Sequence, residues 1–303
     1  MTSEQSKPEK NTVRVSSWIE LYEALFDDTF NTRTSRYKSR YAYRGISSAD
    51  YDMKTSLMRL GGEYAKVEPH LLRNFKKYAY EQITARDSEW YWLSVAQHYG
   101  LPTRLLDWTY SPQVALHFAT CNLDKFTADG AVWKVNYKKA HDYLPEKIQA
   151  ATNDSATWIL TTELLDASVK SLADLDALGR DGDFLIFFEP PSINARLFNQ
   201  FAYFSMASRP DLLLDDWLGA RSELWTKIVF PSQLKWEIRD KLDQSNISER
   251  ILFPGLDGIA SWLKRYYTPT GTARDPVAHA PDVVEPAKNE PSAKEPAANE
   301  STQ

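Results

Sequence analysis

The sequence predicts an α+β fold, a single domain of mixed β-sheets and surrounding helices over residues 12–267, followed by a disordered tail over residues 268–303. Three observations predict it. Segments with helical spacing and segments of strand character follow one another without strict alternation, which disfavours a doubly wound parallel sheet. Apolar residues make up 43% of the 303 positions and include ten Trp, enough for a sizeable core. The composition then breaks after Tyr267: there is no further aromatic residue, Pro recurs at 269, 276, 281, 286, 291 and 296, and Glu-Pro repeats every five residues. Such a stretch buries too little apolar area to offset the entropy of ordering it.

In chain order, SWIELYEALF opens with a capping box, Ser17 to Glu20, and continues with helical spacing. RYAYRGI (40–46) alternates and reads as a strand. EPHLLRNFKKYAYEQITA (68–85) reads as a helix with Pro69 in its first turn. DSEWYWLSVAQHYG (87–100) reads as another, with Asp87 as N-cap and Gly100 as its stop. TRLLDWT is extended, and SPQVALHFATC is a short helix entered through Ser111-Pro112. GAVWKVNY (130–137) is a strand. DFLIFFEP (183–190) and LWTKIVFP (224–231) are apolar enough for interior strands. SQLKWEIRDKLDQ and GIASWLKRYY close the domain as helices.

Charge and cysteine content exclude several classes. The formal net charge is -5, with three Lys/Arg against six Asp/Glu in the tail, so no global basic field draws the chain to nucleic acid or anionic lipid. No local basic patch stands out either. Cys121 is the only cysteine, which leaves no intrachain disulfide and no Cys-based metal cluster. No apolar run reaches the roughly 18 residues of a membrane span. The start, MTSEQSKPEKN, lacks the apolar core of a signal peptide, so a cytoplasmic location is expected. No metal site is expected, since His70, His98, His117, His141 and His279 show no ligand spacing. Gly-rich phosphate loops and GxSxG elbows are also missing.

The residues that stand out surround QHYGLPTRLLDWT (97–109). Arg44, inside a strand and followed by Gly45, places a fork of donors where a phosphate, a carboxylate or another backbone can approach; an ion pair with Asp107 is the alternative. His98 and Tyr99 end a helix, where His98 could face a ligand or the negative end of the helix dipole. Arg104 and Asp107 point to opposite faces of an extended chain, so each needs another partner if buried. Arg196 and Gln200 share a helical face, and Gln200 could hold a ribose or cap a strand. Glu189 and Glu223, beside the two apolar strands, are the general-base candidates.

YRG (43–45), SLMR (56–59), QHYGLPTRLLDWT and FPGLDGIA (253–260) together resemble the FRG domain family of bacterial and phage proteins, from about Ser17 to Leu263. A remoter resemblance joins YRG, DWTYS, PQVALHFA and DGAVWKVNY, in that order, to the ADP-ribosyltransferases. It implies a split sheet, NAD as substrate, and a toxin or defence effector whose macromolecular acceptor is open. Under it Arg44 would contact the dinucleotide, with Thr109 and Ser111 in the Ser/Thr motif; Gly45, Arg104, Asp107, Arg196 and Gln200 are the further candidates for holding it. Glu223, His98 and Tyr99 would serve catalysis, with Tyr99 or Trp108 stacking on nicotinamide. The chain departs from that pattern at Lys227, which stands near the expected catalytic carboxylate, while Glu223 comes earlier. The rival reading is a non-catalytic nucleotide- or partner-binding module in which Arg44, Arg104 and Asp107 form a buried polar lattice.

Overall fold

The chain begins to fold where its first cap predicts. Ser17 accepts a hydrogen bond from the Glu20 amide (3.3 Å), opening α1 (Trp18–Phe26) after the short strand β1 (Thr12–Arg14). The reciprocal half of the box is displaced by one residue: Glu20 accepts from the Ser16 amide and hydroxyl, not from Ser17. A small hairpin follows, β2 (Phe30–Asn31) with β3 (Arg36–Tyr37), and then β4 (Tyr41–Ile46). A computed structural model describes residues 11–81, 87–155, 157–192 and 194–269. The tail expected beyond Tyr267 lies, past Pro269, outside the described residues.

Two helix boundaries differ from the sequence reading. α2 runs Tyr64–Ala79, so Pro69 lies inside it rather than near its start, and Glu68 is buried. In α3 (Glu89–His98) the cap is Ser88, whose hydroxyl accepts from the Tyr91 amide, and not Asp87. Gly100, at φ +81°, then turns the chain, because only glycine enters that region freely. β5 (Leu105–Thr109) leads into α4 (Pro112–Thr120), capped by Ser111. The remaining elements are β6 (Gly130–Asn136), α5 (Tyr137–His141), α6 (Glu146–Asp154), β7 (Leu160–Thr161), α7 (Thr162–Ser168), α8 (Leu172–Leu178) and β8 (Leu185–Glu189). After them come α9 (Ala195–Asn199), β9 (Ala202–Ala207), α10 (Leu214–Gly219), β10 (Trp225–Phe230), α11 (Leu234–Gln244), α12 (Glu249–Leu252) and α13 (Leu256–Tyr266).

The strands outside the hairpin form one mixed eight-stranded sheet in the order β1-β10-β6-β4-β5-β9-β8-β7. β1 runs parallel to β10 and β7 parallel to β8; the other neighbours are antiparallel. The sheet is one ladder only by a narrow margin. β4 pairs with β6 over its whole length, and β5 with β9 over its whole length. β4 and β5 meet at the single pair Tyr43↔Thr109.

The core repeats this division. One face carries a continuous apolar layer, including Ala42, Leu106, Trp133, Phe187 and Trp225. The other face carries two separate clusters. α2, α3, α7 and α8 cover β5, β9 and β8 through residues such as Trp90, Leu105 and Phe204. α1, α4 and α11 cover β4, β6 and β10 through Leu21, Tyr43, Ile228 and Ile238. α4 lies directly on β4: a Cβ on Gly45 would stand 1.8 Å from the Ala115 carbonyl oxygen. Gly45 therefore answers a close backbone approach, that of a helix.

Candidate functional site

A cleft of about 290 Å³ opens where β4 and β5 part, and the ends of α3, α4 and α9 frame it. Of the residues expected to hold the dinucleotide or serve catalysis, seven line it: Arg44, Gly45, His98, Asp107, Thr109, Arg196 and Gln200. Four do not: Tyr99, Arg104, Ser111 and Glu223. Glu189, the other general-base candidate, is also outside the lining, at the end of β8.

Arg44 bridges the gap between the strands. Beyond Tyr43↔Thr109 no ladder bond joins β4 to β5, and the Arg44 Nη1 donates to the Asp107 carbonyl instead (2.5 Å), satisfying a backbone acceptor the sheet leaves open. Its Nε is buried and has no hydrogen-bond partner among the described residues. Burial lowers its pKa, the field of Asp107 opposes that shift, and Arg59 adds to it. The ion pair expected between Arg44 and Asp107 is thus a bond to the Asp107 backbone.

The Asp107 carboxylate is exposed, which corrects the expectation of a buried lattice at this position. It accepts from the Gln97 amide (2.9 Å), and Gln97 accepts in turn from the Thr103 hydroxyl (2.6 Å). Thr103 also accepts from the Leu105 amide, so a chain of side chains across the turn after α3 orients the acid.

His98 accepts from the Asn194 amide (2.5 Å), and the Asn194 oxygen caps α9 at Arg196 and Leu197. Burial and the charge of Arg196 lower the His98 pKa, with Asp107 opposing, so the ring is neutral near pH 7. Arg196 itself is exposed and lies 4.8 Å over the Phe253 ring. It has no acidic partner among the described residues. The Gln200 amide donates to the Leu252 carbonyl (3.0 Å), which ties the floor of the cleft to α12. Thr109 is buried, and its hydroxyl accepts from the Ser111 amide.

The four outliers have physical reasons. Arg104 faces away, into the interior, where its Nε reaches both Glu68 oxygens at 2.9 Å and its Nη1 meets Asp176 at 2.6 Å. Burial works against its charge, yet Glu68 and then Asp176 raise its pKa overall. Ser111 is occupied as the cap of α4. Tyr99 stands outside the lining, 62% exposed and edge-on to His98. Trp108 lines the cleft, but its indole is buried and donates to Ser205, so it is not free to stack on a ring.

Glu223 is the largest correction. It lies in the turn Ser222–Leu224 before β10, which β6 and β4 separate from the cleft. The register Trp225↔Val135↔Ala42 places it toward the start of β4, while the cleft opens beside Arg44. Its carboxylate accepts from the Tyr143 hydroxyl (2.7 Å), which lowers its pKa. Lys227, on the same strand, donates to the Ala49 carbonyl and packs near the Trp133 ring. Asp107 is the one carboxylate among the described residues that line the cleft.

Sequence reasoning passed over Gln97, Phe118 and Asn194. Gln97 lay inside the quoted block. Asn194 carries only the ordinary signal of a helix cap, and nothing local shows that it reaches His98. Among the described residues no three His, Cys, Asp or Glu side chains are grouped as a metal would need, and no helix is long and apolar enough to cross a membrane.

Residues 39–128 match the model of the FRG domain, a shorter span than the resemblance from Ser17 to Leu263. The matched span supplies β4, α2, α3, β5 and α4, hence the Arg44 and Asp107 walls; the α9 wall with Arg196 comes from outside it. No curated protein and no solved structure matches the chain.

Proposed function

We propose that this chain binds a dinucleotide in the cleft between β4 and β5, with NAD as the candidate, and that its chemistry is of the ADP-ribosyltransferase type. One observation carries the reading: Arg44 stands in the gap of a nearly divided sheet with a single donor engaged, and the unpaired Arg196 lines the same cleft. Two forks of donors around a small cavity suit a pyrophosphate. The cavity lies at the lower end of the roughly 300–1,000 Å³ of ligand sites, so it encloses part of a dinucleotide and leaves the rest to the exposed rim at Tyr99.

Cleavage of the glycosidic bond of NAD develops positive charge on the ribose, and a carboxylate beside it lowers the barrier. Asp107 takes that role in place of Glu223. A toxin or defence effector acting on a macromolecular acceptor is the setting that the transferase resemblance implies. The second reading, a binding module without turnover, is favoured by the hold that Gln97 keeps on Asp107.

Calorimetry with NAD and with ADP-ribose, beside chromatographic detection of released nicotinamide, tests both. Binding with turnover that falls about 10²–10³-fold in Asp107→Asn supports the transferase. Binding without nicotinamide release supports the module. A well-folded chain that binds neither compound would reject both.

A further inference from the structure

A second cleft, of about 440 Å³, lies on the other side of the Tyr43↔Thr109 pair, lined by Lys38, Tyr37, Tyr110, Tyr137 and Tyr203 among others. The hairpin at its mouth is the most basic short stretch of the domain. Residues 29–40, TFNTRTSRYKSR, hold Arg33, Arg36, Lys38 and Arg40 and no acid. None of the four cations has an acidic partner among the described residues, and the Nε of Arg40 is buried without a hydrogen bond. Aromatic rings alternate with these charges. Tyr37 is 77% exposed and packs edge-on to Phe30 at 5.1 Å, while Tyr110 is 46% exposed at the cleft wall.

Among the described residues no acid pairs these cations, and Tyr37 and Tyr110 keep much of their ring surface open beyond their contacts with Phe30, Phe201 and Tyr203. The hairpin contributes no strand to the main sheet, and its exposed rings add little to the core. We propose that the β2–β3 hairpin and the tyrosine cleft behind it form a binding surface for single-stranded nucleic acid. The cations follow the phosphates, and Tyr37 and Tyr110 receive unstacked bases. A duplex keeps its bases stacked inside and cannot use the rings, which makes the single strand the fitting occupant. Burial, with the nearby charge of Glu189 adding to it, raises the pKa of Tyr110, Tyr137 and Tyr203, so their hydroxyls stay protonated; that of Tyr137 donates to the Ser39 carbonyl (3.3 Å). Of the nearby acids, Asp28 is engaged by the Tyr41 hydroxyl (2.5 Å), and Glu189 can accept from the exocyclic amine of a base. The overall negative charge does not oppose this, because the field that matters acts over about a Debye length. The proposal uses none of the residues that line the Arg44 cleft except the buried Tyr43, so it stands or falls separately from the dinucleotide reading.

The test is fluorescence anisotropy of the full chain with labelled single-stranded RNA and DNA of about 12 nucleotides, a duplex of equal length, a poly-glutamate peptide and vesicles containing phosphatidylglycerol. Four phosphate contacts predict single-strand binding that weakens roughly 50-fold between about 50 and 200 mM salt. The variant Arg33→Gln/Arg36→Gln/Lys38→Gln should flatten that dependence, and Tyr37→Ala should weaken binding about ten-fold with an unchanged melting temperature. Either sugar satisfies the proposal, and the tighter of the two identifies the strand. It is overturned by no binding at low salt, or by equal affinity for duplex, peptide or vesicles. It is equally overturned if the charge variant loses affinity while Tyr37→Ala and Tyr110→Ala do not, since that pattern is unspecific attraction.

Discussion

Arg44 and Arg104 flank the same stretch of sheet and are of the same residue type, yet their surroundings have opposite consequences. Arg104 is enclosed, with its side chain and that of Glu68 each 2% exposed, and two carboxylates meet its guanidinium. Arg44 gives one bond to a backbone carbonyl and keeps an unpaired Nε beside an open cleft. Glu68 and Asp176 raise the pKa of the first against its burial; burial lowers that of the second. A cation whose donors are matched inside the protein belongs to the fold. A cation left partly unmatched at a cleft is available to a ligand.

The sharpest way to break this contrast is to remove the matched cation. Arg104→Ala leaves Glu68 buried without its partner and is expected to cost about 3–5 kcal/mol, read as a lower denaturant midpoint. A shift under about 1 kcal/mol would mean that Arg104 is not the structural member of the pair.

Acid should expose a second buried network, in which the carboxylates are paired but the Arg239 Nε and the His117 Nε2 have no hydrogen-bond partner among the described residues. Arg239 donates to Glu249 and to the ring of His117, and Arg265 joins Glu249 to Asp243. Burial and the Arg239 charge push His117 down to about 3 from 6.5. The folded state holds this ring neutral, so its contribution to stability is complete above about pH 6.5 and is lost as pH falls toward 3. The Glu249 carboxyl is also held low, since bonds from Arg265 and the charge of Arg239 outweigh burial, and its contribution is lost at still more acid pH than an ordinary carboxylate titrates. Melting temperatures of wild type and His117→Gln between pH 7 and pH 4 check the first of these: the wild type should lose stability on acidification more steeply than the variant. Parallel curves would contradict it.

Smaller still is the effect expected at Asp107. It is exposed and bound through Gln97, so Asp107→Ala should change stability by about 1 kcal/mol or less. A loss as large as that of Arg104→Ala would place Asp107 in the structural network after all.

What could be read from the sequence follows the range of the forces involved. Caps and periodicity are local, so α1, α4, β4, β5 and β6 fall within a residue or so of expectation. α2 starts at Tyr64, four residues before the expected Glu68, and the burial of Glu68 against Arg104 involves a partner 36 positions away that no window contains. The block QHYGLPTRLLDWT did announce a polar site, and seven candidates meet around one cleft. Its residues divide between two sides of the chain, however: Gln97 and Asp107 toward the cleft, Arg104 into the core. Glu223 was misplaced for a related reason. Strand order decides which strand end faces the site, and β10 lies two strands from β4. The basic hairpin did not stand out as a local patch because Arg33, Arg36, Lys38 and Arg40 are spread among Thr, Ser and aromatic residues, and only the β2–β3 pairing gathers them.

The most direct measurement makes one chemical change in both environments. Arg44→Lys and Arg104→Lys each keep the charge and remove the planar fork of donors. The melting temperature and the calorimetric affinity for NAD are then read on both proteins and on wild type. Arg44→Lys should melt close to wild type and bind NAD about ten- to hundred-fold more weakly, whereas Arg104→Lys should melt lower and, where folded, keep its affinity. If Arg44→Lys instead melts lower while wild type shows no heat of binding with NAD, Arg44 is a structural cation like Arg104, and the dinucleotide reading of the cleft is wrong.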